Sequence, residues 1–123
     1  MGLDTYAGKR LGEDKIELLP DSLFLKNYLV SGAFSMDQSS FRGKIYNDYV
    51  EYVTGQSLYQ QVIGEDIVVK MAENLTKFAL SGFNSEPGFE SRNIYGVDQV
   101  IAHELAAWFQ TVAKNNGVVV GWW

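Results

Sequence analysis

The segment 39–46 brings together the side chains of this chain that are best suited to binding chemistry. Ser39 and Ser40 supply hydroxyls, Arg42 a guanidinium and Lys44 an ammonium, and the segment leads into a predicted helix. The free amides at a helix start favour an anion, and a guanidinium can donate a forked pair of hydrogen bonds to it. The segment therefore predicts an anion site, although it lacks the GxxxxGK spacing of a Walker loop. The structural alternative is an ordinary capped helix with solvated basic side chains.

Aromatic rings form a second group that can contact a ligand, because a ring face can stack on a nucleobase. The rings assigned to a ligand site are Tyr6, Tyr46, Tyr59 and Trp122. The apolar stripes of the predicted helices already use Tyr49, Tyr52 and Trp108. Because Tyr6 and Trp122 lie near opposite ends of the chain, pairing of two terminal strands would place both beside Arg42.

A hydrolytic site has weaker support in the residue pattern. His103 is the single histidine and precedes Glu104, but Ala107 stands where the HExxH zinc motif needs its second histidine. Zinc takes three or four protein ligands, so the ligand count does not fit a zinc protease. His103 by itself can act as a general base, because imidazole titrates near neutral pH. A small hydrolase using His103 and a carboxylate stays an alternative, and we expect no metal and no cofactor.

Length and composition describe one compact domain over residues 1–123. The chain is 46% hydrophobic, which suffices for a core of its own. Its formal net charge of -5 disfavours nonspecific binding to nucleic acid or to an anionic membrane. It has no cysteine, no visible signal peptide and no apolar run near the roughly 18 residues that span a bilayer. We therefore expect a cytoplasmic protein.

Helix signals recur along the middle and the end of the chain. The predicted helices cover residues 44–54, 65–80 and 99–115, with a shorter one from about 22 to 32. Gly55 and Gly82 stop the first two, and Asp98 is the expected N-cap of the last long helix. The Asn115-Asn116-Gly117 sequence predicts a left-handed stop after that helix. These helices position the anion-binding segment and most of the core aromatics.

Strand character is confined to the two ends of the chain. Residues 1–7 and 118–123 have the β-branched and aromatic composition of strands. A lone strand cannot satisfy its own backbone, so these two are expected to pair. The predicted fold is α+β, with about four helices packed on a small sheet formed by the N-terminal and C-terminal strands. Residues 9–15 are expected to form a turn or exposed loop, 56–63 a connector and 83–96 the longest loop.

The last two residues are both tryptophans, and alternation along a strand sends their side chains to opposite sides. We expect Trp123 to plug the core and Trp122 to contact a ligand or partner. The preceding Gly121 would let a backbone or a ring approach closely.

Four segments together resemble a group of small proteins from phages and bacterial genomes. Those proteins open on MGLD-x-Y, carry SFRGK followed by VTG-x-SLY, and end on GWW. The matching residues here are 1–7, 40–46, 53–59 and 121–123. The resemblance implies a phage or bacterial intracellular protein, and it implies no particular activity or catalytic residue.

The residues favour a non-enzymatic protein that binds a small, anionic, nucleotide-like ligand. In a phage, such a protein would serve counter-defence by sequestering a nucleotide signal in the host cytoplasm. A chain of this size more readily encloses a ligand between subunits than within one core, so we expect a homo-oligomer. The main alternative is a phage module that binds and inhibits a host enzyme through exposed aromatic and acidic side chains.

Overall fold

The computed structural model describes residues 2–12, 15–24, 29, 40–82 and 97–123. Its fold is α+β, with a five-stranded antiparallel sheet and three α-helices in this part of the chain. The strands are β1 (Asp4–Arg10), β2 (Ile16–Leu18), β3 (Ser40–Arg42), β4 (Val62–Ile63) and β5 (Val118–Trp122). The helices are α1 (Gly43–Thr54), α2 (Glu65–Lys77) and α3 (Gln99–Lys114).

The N-terminal strand β1 lies at the centre of the sheet. Its first half pairs with β3 and its second half with β2, so two short strands share one of its edges. The C-terminal strand β5 pairs along the other edge, and β4 pairs with β5 on the outside. The predicted pairing of the two terminal strands is therefore confirmed, and it forms the middle of a larger sheet.

The three helices begin and end close to their sequence signals. Gly55 follows α1 with a φ of 75°, a left-handed conformation that glycine adopts without a steric penalty. The Asp98 carboxylate caps α3 by accepting a hydrogen bond from the Ile101 amide at 2.9 Å. Asn116 has a φ of 55° just after α3, which confirms the predicted left-handed stop. A π-helical turn, Phe78–Gly82, extends α2 to the glycine that was expected to end it.

One side of the sheet packs against the helices, and we call it the helix-covered face. Its side chains include Leu3, Thr5, Ala7, Phe41 and Val119, all of them buried. The Phe41 ring lies edge-on to Trp108, with 4.8 Å between ring centroids, and 5.7 Å from Tyr46. The core thus sits between the sheet and the helices. Burial there also raises the pKa of the Tyr49 hydroxyl above its ordinary value.

The opposite side of the sheet is the second face. Because successive strand residues point to opposite sides, it carries the alternate residues of the same strands. On β1, β3 and β5 these include Asp4, Tyr6, Ser40, Arg42, Val120 and Trp122. The second face is where the terminal strands bring distant parts of the chain together.

The sheet is larger than predicted, and three of its strands were not expected. Residues 40–42 form β3 rather than the entry to a helix, and the expected turn at 9–15 begins later, since Lys9 and Arg10 continue β1. Strands of two or three residues show no clear period of their own and form because a neighbouring strand offers hydrogen bonds.

The short helix expected from about 22 to 32 appears, within the described residues, only as a 3-10 turn, Asp21–Leu23. Leu29 is buried, and the rest of that prediction lies outside the described residues, as do Ser39 and the loop 83–96. Across the described ranges, no helix has both the length and the apolarity to cross a membrane.

Candidate functional site

A row of three side chains crosses the second face at the end of the sheet. Asp4 on β1 pairs directly with Arg42 on β3 and, across its other edge, with Trp122 on β5. Directly paired residues in antiparallel strands lie about 4.5–5.5 Å apart, so the whole row spans about 10 Å. We call these three residues the Arg42 row. It places a cation, an anion and an indole next to one another in that order.

The side chains of the Arg42 row are accessible and are not engaged with each other. Trp122 is 62% exposed, Arg42 is exposed and Asp4 is half-buried. The Arg42 guanidinium extends towards Gly2, where Nη1 lies 3.9 Å from the position that a Cβ would occupy. Among the described residues, no hydrogen bond or ion pair joins Arg42 to Asp4. The charged groups of this row are therefore free to contact a ligand.

The next row of the second face is buried. Tyr6 pairs with Ser40 on one side and with Val120 on the other, and Tyr6 and Ser40 are only 5% and 4% exposed. The Ser40 hydroxyl has no hydrogen-bond partner within the described part of the chain. A buried hydroxyl without a partner lowers the free energy of unfolding by about 1–3 kcal/mol, and this one lies directly beside the Arg42 row.

The start of α1 is less open to an anion than the sequence predicts. Arg42 is the N-cap residue without a side-chain capping bond, and the Lys44 amide donates to the Leu3 carbonyl at 3.4 Å. Gly43 is buried so tightly that a Cβ there would overlap the Thr5 hydroxyl. Because β1 packs over the helix start, the accessible anion-binding groups are the exposed side chains of Arg42 and Lys44.

Two of the predicted ligand-binding tyrosines lie away from the Arg42 row. Tyr46 is buried on the helix-covered face against Phe41, so it belongs to the core and has no ring face for a ligand. Tyr59 is 39% exposed and packs edge-on against Trp123, with 5.6 Å between ring centroids. Trp123 approaches the face of Gly121 that points away from Trp122, so this pair lies on the opposite side of β5.

The prediction that Trp123 plugs the core is wrong, because its side chain is 49% exposed. The reason lies in the backbone around Gly121. The Gly121 amide donates to the carbonyls of Gln60 and Gln61, and the carbonyl oxygen of Leu58 lies 2.8 Å from the position that a Cβ on Gly121 would occupy. The connector 56–63 therefore occupies the space next to the last residues of the chain. The Trp123 ring packs against Tyr59 of this connector.

His103 is exposed on α3, and no hydrogen bond or ion pair links it to any residue that the structure describes. Nor do the described histidine and acidic residues form a cluster that could hold a metal ion.

A separate groove of about 330 Å³ lies between α2 and α3. Its walls are largely apolar and include Val69, Ala72 and Ala113, and at its rim Gln110 donates a hydrogen bond to Thr76. None of the predicted ligand-binding residues lines it. The groove and the Arg42 row are distinct features of the molecule.

Comparison with protein-family models, with curated proteins and with solved structures finds no match to this chain. Asp4 is the member of the row that residue patterns did not select. Its alternation with Tyr6 along the predicted strand is the signal that would have placed both on one face.

Proposed function

We propose that this protein binds a small, anionic, nucleotide-like ligand at the Arg42 row and performs no chemical reaction on it. The observation that carries the proposal is the placement of an accessible guanidinium and an accessible indole on the same face, from strands that are far apart in sequence. Arg42 would bind phosphate through charge-assisted hydrogen bonds, and Trp122 would stack on the base. The Ser40 hydroxyl lies in the next row of the same face, buried and without a hydrogen-bond partner in the described part of the chain.

The energies of these contacts suit a reversible binder. Stacking of a base on an aromatic side chain contributes about 1–3 kcal/mol. A hydrogen bond to a charged group contributes about 1.5–3 kcal/mol. Together they amount to about 2.5–6 kcal/mol, which corresponds to dissociation constants from about ten millimolar to tens of micromolar for one exposed surface, before any further burial of the ligand.

A second copy of the chain over the second face would complete the site. Ligand sites bury most of the ligand surface, whereas an open sheet face covers only one side of it. Exposed Trp122 and Leu18 share this face and provide apolar area for such a contact. The proposed protein is thus a homo-oligomer that holds its ligand between subunits, in keeping with a phage protein that sequesters a nucleotide signal.

Titration calorimetry against a panel of cyclic and linear nucleotides tests this function. Arg42→Ala should weaken binding at least about tenfold, since it removes about 1.5–3 kcal/mol, and Trp122→Ala should weaken it at least about fivefold, since it removes about 1–3 kcal/mol. Lys70→Ala, an exposed lysine on α2, and Tyr59→Ala are matched controls that should bind as the unaltered protein does. Absence of any nucleotide binding, or an affinity unchanged by Arg42→Ala, would refute the proposal.

Inhibition of a host enzyme is a second candidate, favoured by the exposed ring pair of Tyr59 and Trp123 at the end of β5. Exposed aromatic side chains are enriched among the residues that dominate protein interfaces. This function predicts that Trp123→Ala abolishes capture of the host protein while Arg42→Ala does not. The nucleotide-binding function predicts that Arg42→Ala weakens ligand binding while Trp123→Ala does not.

A further inference from the structure

We infer that Asp4 binds the ribose of the ligand, and that the ligand is therefore a ribonucleotide with a free vicinal diol. This inference rests on the proposed function, because it assigns the middle position of the same row. It explains why a carboxylate stands between the two groups that would hold phosphate and base.

The carboxylate of Asp4 is a poor neighbour for phosphate alone. An ionised carboxylate only accepts hydrogen bonds, and an anion repels it. The two hydroxyls of a ribose are donors, and a carboxylate in dinucleotide-binding folds accepts a hydrogen bond from such a hydroxyl. Of the parts of a nucleotide, the sugar is thus the one that matches Asp4.

The order of groups in the Arg42 row is the order of groups in a nucleotide. Arg42, Asp4 and Trp122 follow one another across neighbouring strands, as phosphate, ribose and base follow one another along the ligand. Adjacent strands lie about 4.8 Å apart, which is comparable to the width of one ribose ring. A nucleotide lying across the strands would therefore meet each protein group with its complement.

Asp4 and Arg42 are kept apart although their backbones pair directly. The guanidinium extends towards Gly2, diagonally across from its own strand partner. Within the described chain, Asp4 has no ion pair that would occupy its oxygens. The carboxylate thus keeps its acceptor capacity for hydroxyl groups while Arg42 keeps its charge for phosphate.

Binding of matched ribonucleotides and deoxyribonucleotides tests this inference on the unaltered protein. The probes are the 5′-monophosphates of adenosine and guanosine, their 2′-deoxy and 3′-deoxy forms, and inorganic phosphate. Loss of a hydroxyl that donates to a carboxylate should weaken binding about tenfold or more. In Asp4→Asn the preference for the ribose form should fall to within about twofold. Asp48→Asn, an exposed carboxylate on α1, should keep the full preference.

The outcomes separate this inference from the function on which it rests. Equal binding of ribose and deoxyribose forms, with binding still lost in Arg42→Ala, would overturn the role of Asp4 and leave the function standing. Tighter binding of every probe in Asp4→Asn would overturn it too, because Asp4 would then act only by repulsion. If no nucleotide binds at millimolar concentration, the proposed function fails first and the inference fails with it. The deoxyribose comparison needs no variant, so it decides even if Asp4→Asn does not fold.

Discussion

The two faces of the sheet are built from the same strands and differ most at the end that carries the Arg42 row. On the helix-covered face, Leu3, Thr5 and Ala7 are completely buried beneath the helices. On the second face, their neighbour Asp4 lies between two accessible side chains. The strand β1 thus supplies side chains both to the core and to the candidate ligand surface. This arrangement predicts that substitutions on the two faces affect stability and binding separately.

The largest expected difference between the faces concerns their aromatic rings. Phe41→Ala should lower the free energy of unfolding by about 3–5 kcal/mol, because it removes a buried ring from the centre of the core. Trp122→Ala should lower it by less than about 1 kcal/mol, because that ring is mostly exposed. Urea denaturation followed by circular dichroism measures both. A comparable loss in the two variants would show that the second face also carries the stability of the fold.

Close packing between β1 and α1 gives the next largest effect. Gly43→Ala should lower the free energy of unfolding by about 1–3 kcal/mol, because the added methyl group meets the Thr5 and Leu3 side chains. Gly12→Ala is the matched control, since a Cβ there meets nothing within 4 Å. Denaturation midpoints compare the two variants, and an unchanged midpoint for Gly43→Ala would mean that β1 does not hold the helix start.

A buried hydroxyl on the helix-covered face predicts a substitution that stabilises the protein. The Thr5 hydroxyl has no hydrogen-bond partner in the described structure, so Thr5→Val should raise the free energy of unfolding by about 1 kcal/mol. The nucleotide affinity should stay unchanged, because Thr5 faces away from the Arg42 row. Thermal denaturation measures the stability, and titration calorimetry measures the nucleotide affinity. Destabilisation of Thr5→Val would show that the hydroxyl finds a partner in solution.

The smallest effect concerns a surface ion pair that joins the end of β1 to the start of α2. Arg10 Nε lies 3.1 Å from the Glu65 carboxylate, and both side chains are 41% exposed. Glu65→Gln should lower the free energy of unfolding by about 0.2–1 kcal/mol, and salt should reduce that difference. Glu51→Gln, an exposed glutamate on α1, is the control and should change it less.

This ion pair also sets a direction for the effect of pH. The hydrogen bond from its own backbone amide, and then Arg10, hold the pKa of Glu65 below its ordinary value of 4.5. The folded state therefore gains stability above that pH and loses it as the pH falls through the lowered pKa. Glu65→Gln should remove this part of the acid dependence, which denaturation curves between about pH 3 and 6 would show. An identical pH dependence of the free energy of unfolding in both proteins would show that the Arg10–Glu65 pair does not contribute to it.

The helices could be read from the sequence because their signals are local. The apolar spacing of α3, the Asp98 cap and the left-handed Asn116 all lie within one segment. The strands β2, β3 and β4 could not, since strands of two or three residues depend on a partner strand for their hydrogen bonds.

The candidate site was predictable only in part for the same reason. The types of side chain in Arg42 and Trp122 suggested phosphate and base, but their types do not reveal which neighbours they meet. Tyr46 has the same kind of ring as Tyr59, yet one packs in the core and the other at the surface. Burial of these rings depends on which face of an element meets the rest of the fold.

The amino-acid sequence by itself determined the α+β class, the three described helices and the pairing of the terminal strands. Only the tertiary structure decided which side chains share a face, because that depends on the register between strands. Asp4 meets Arg42 and Trp122 in the observed register, and a shift of β5 by one residue would turn Trp122 to the helix-covered face. Register is set by packing of the whole sheet against the helices, which no single segment of the sequence contains.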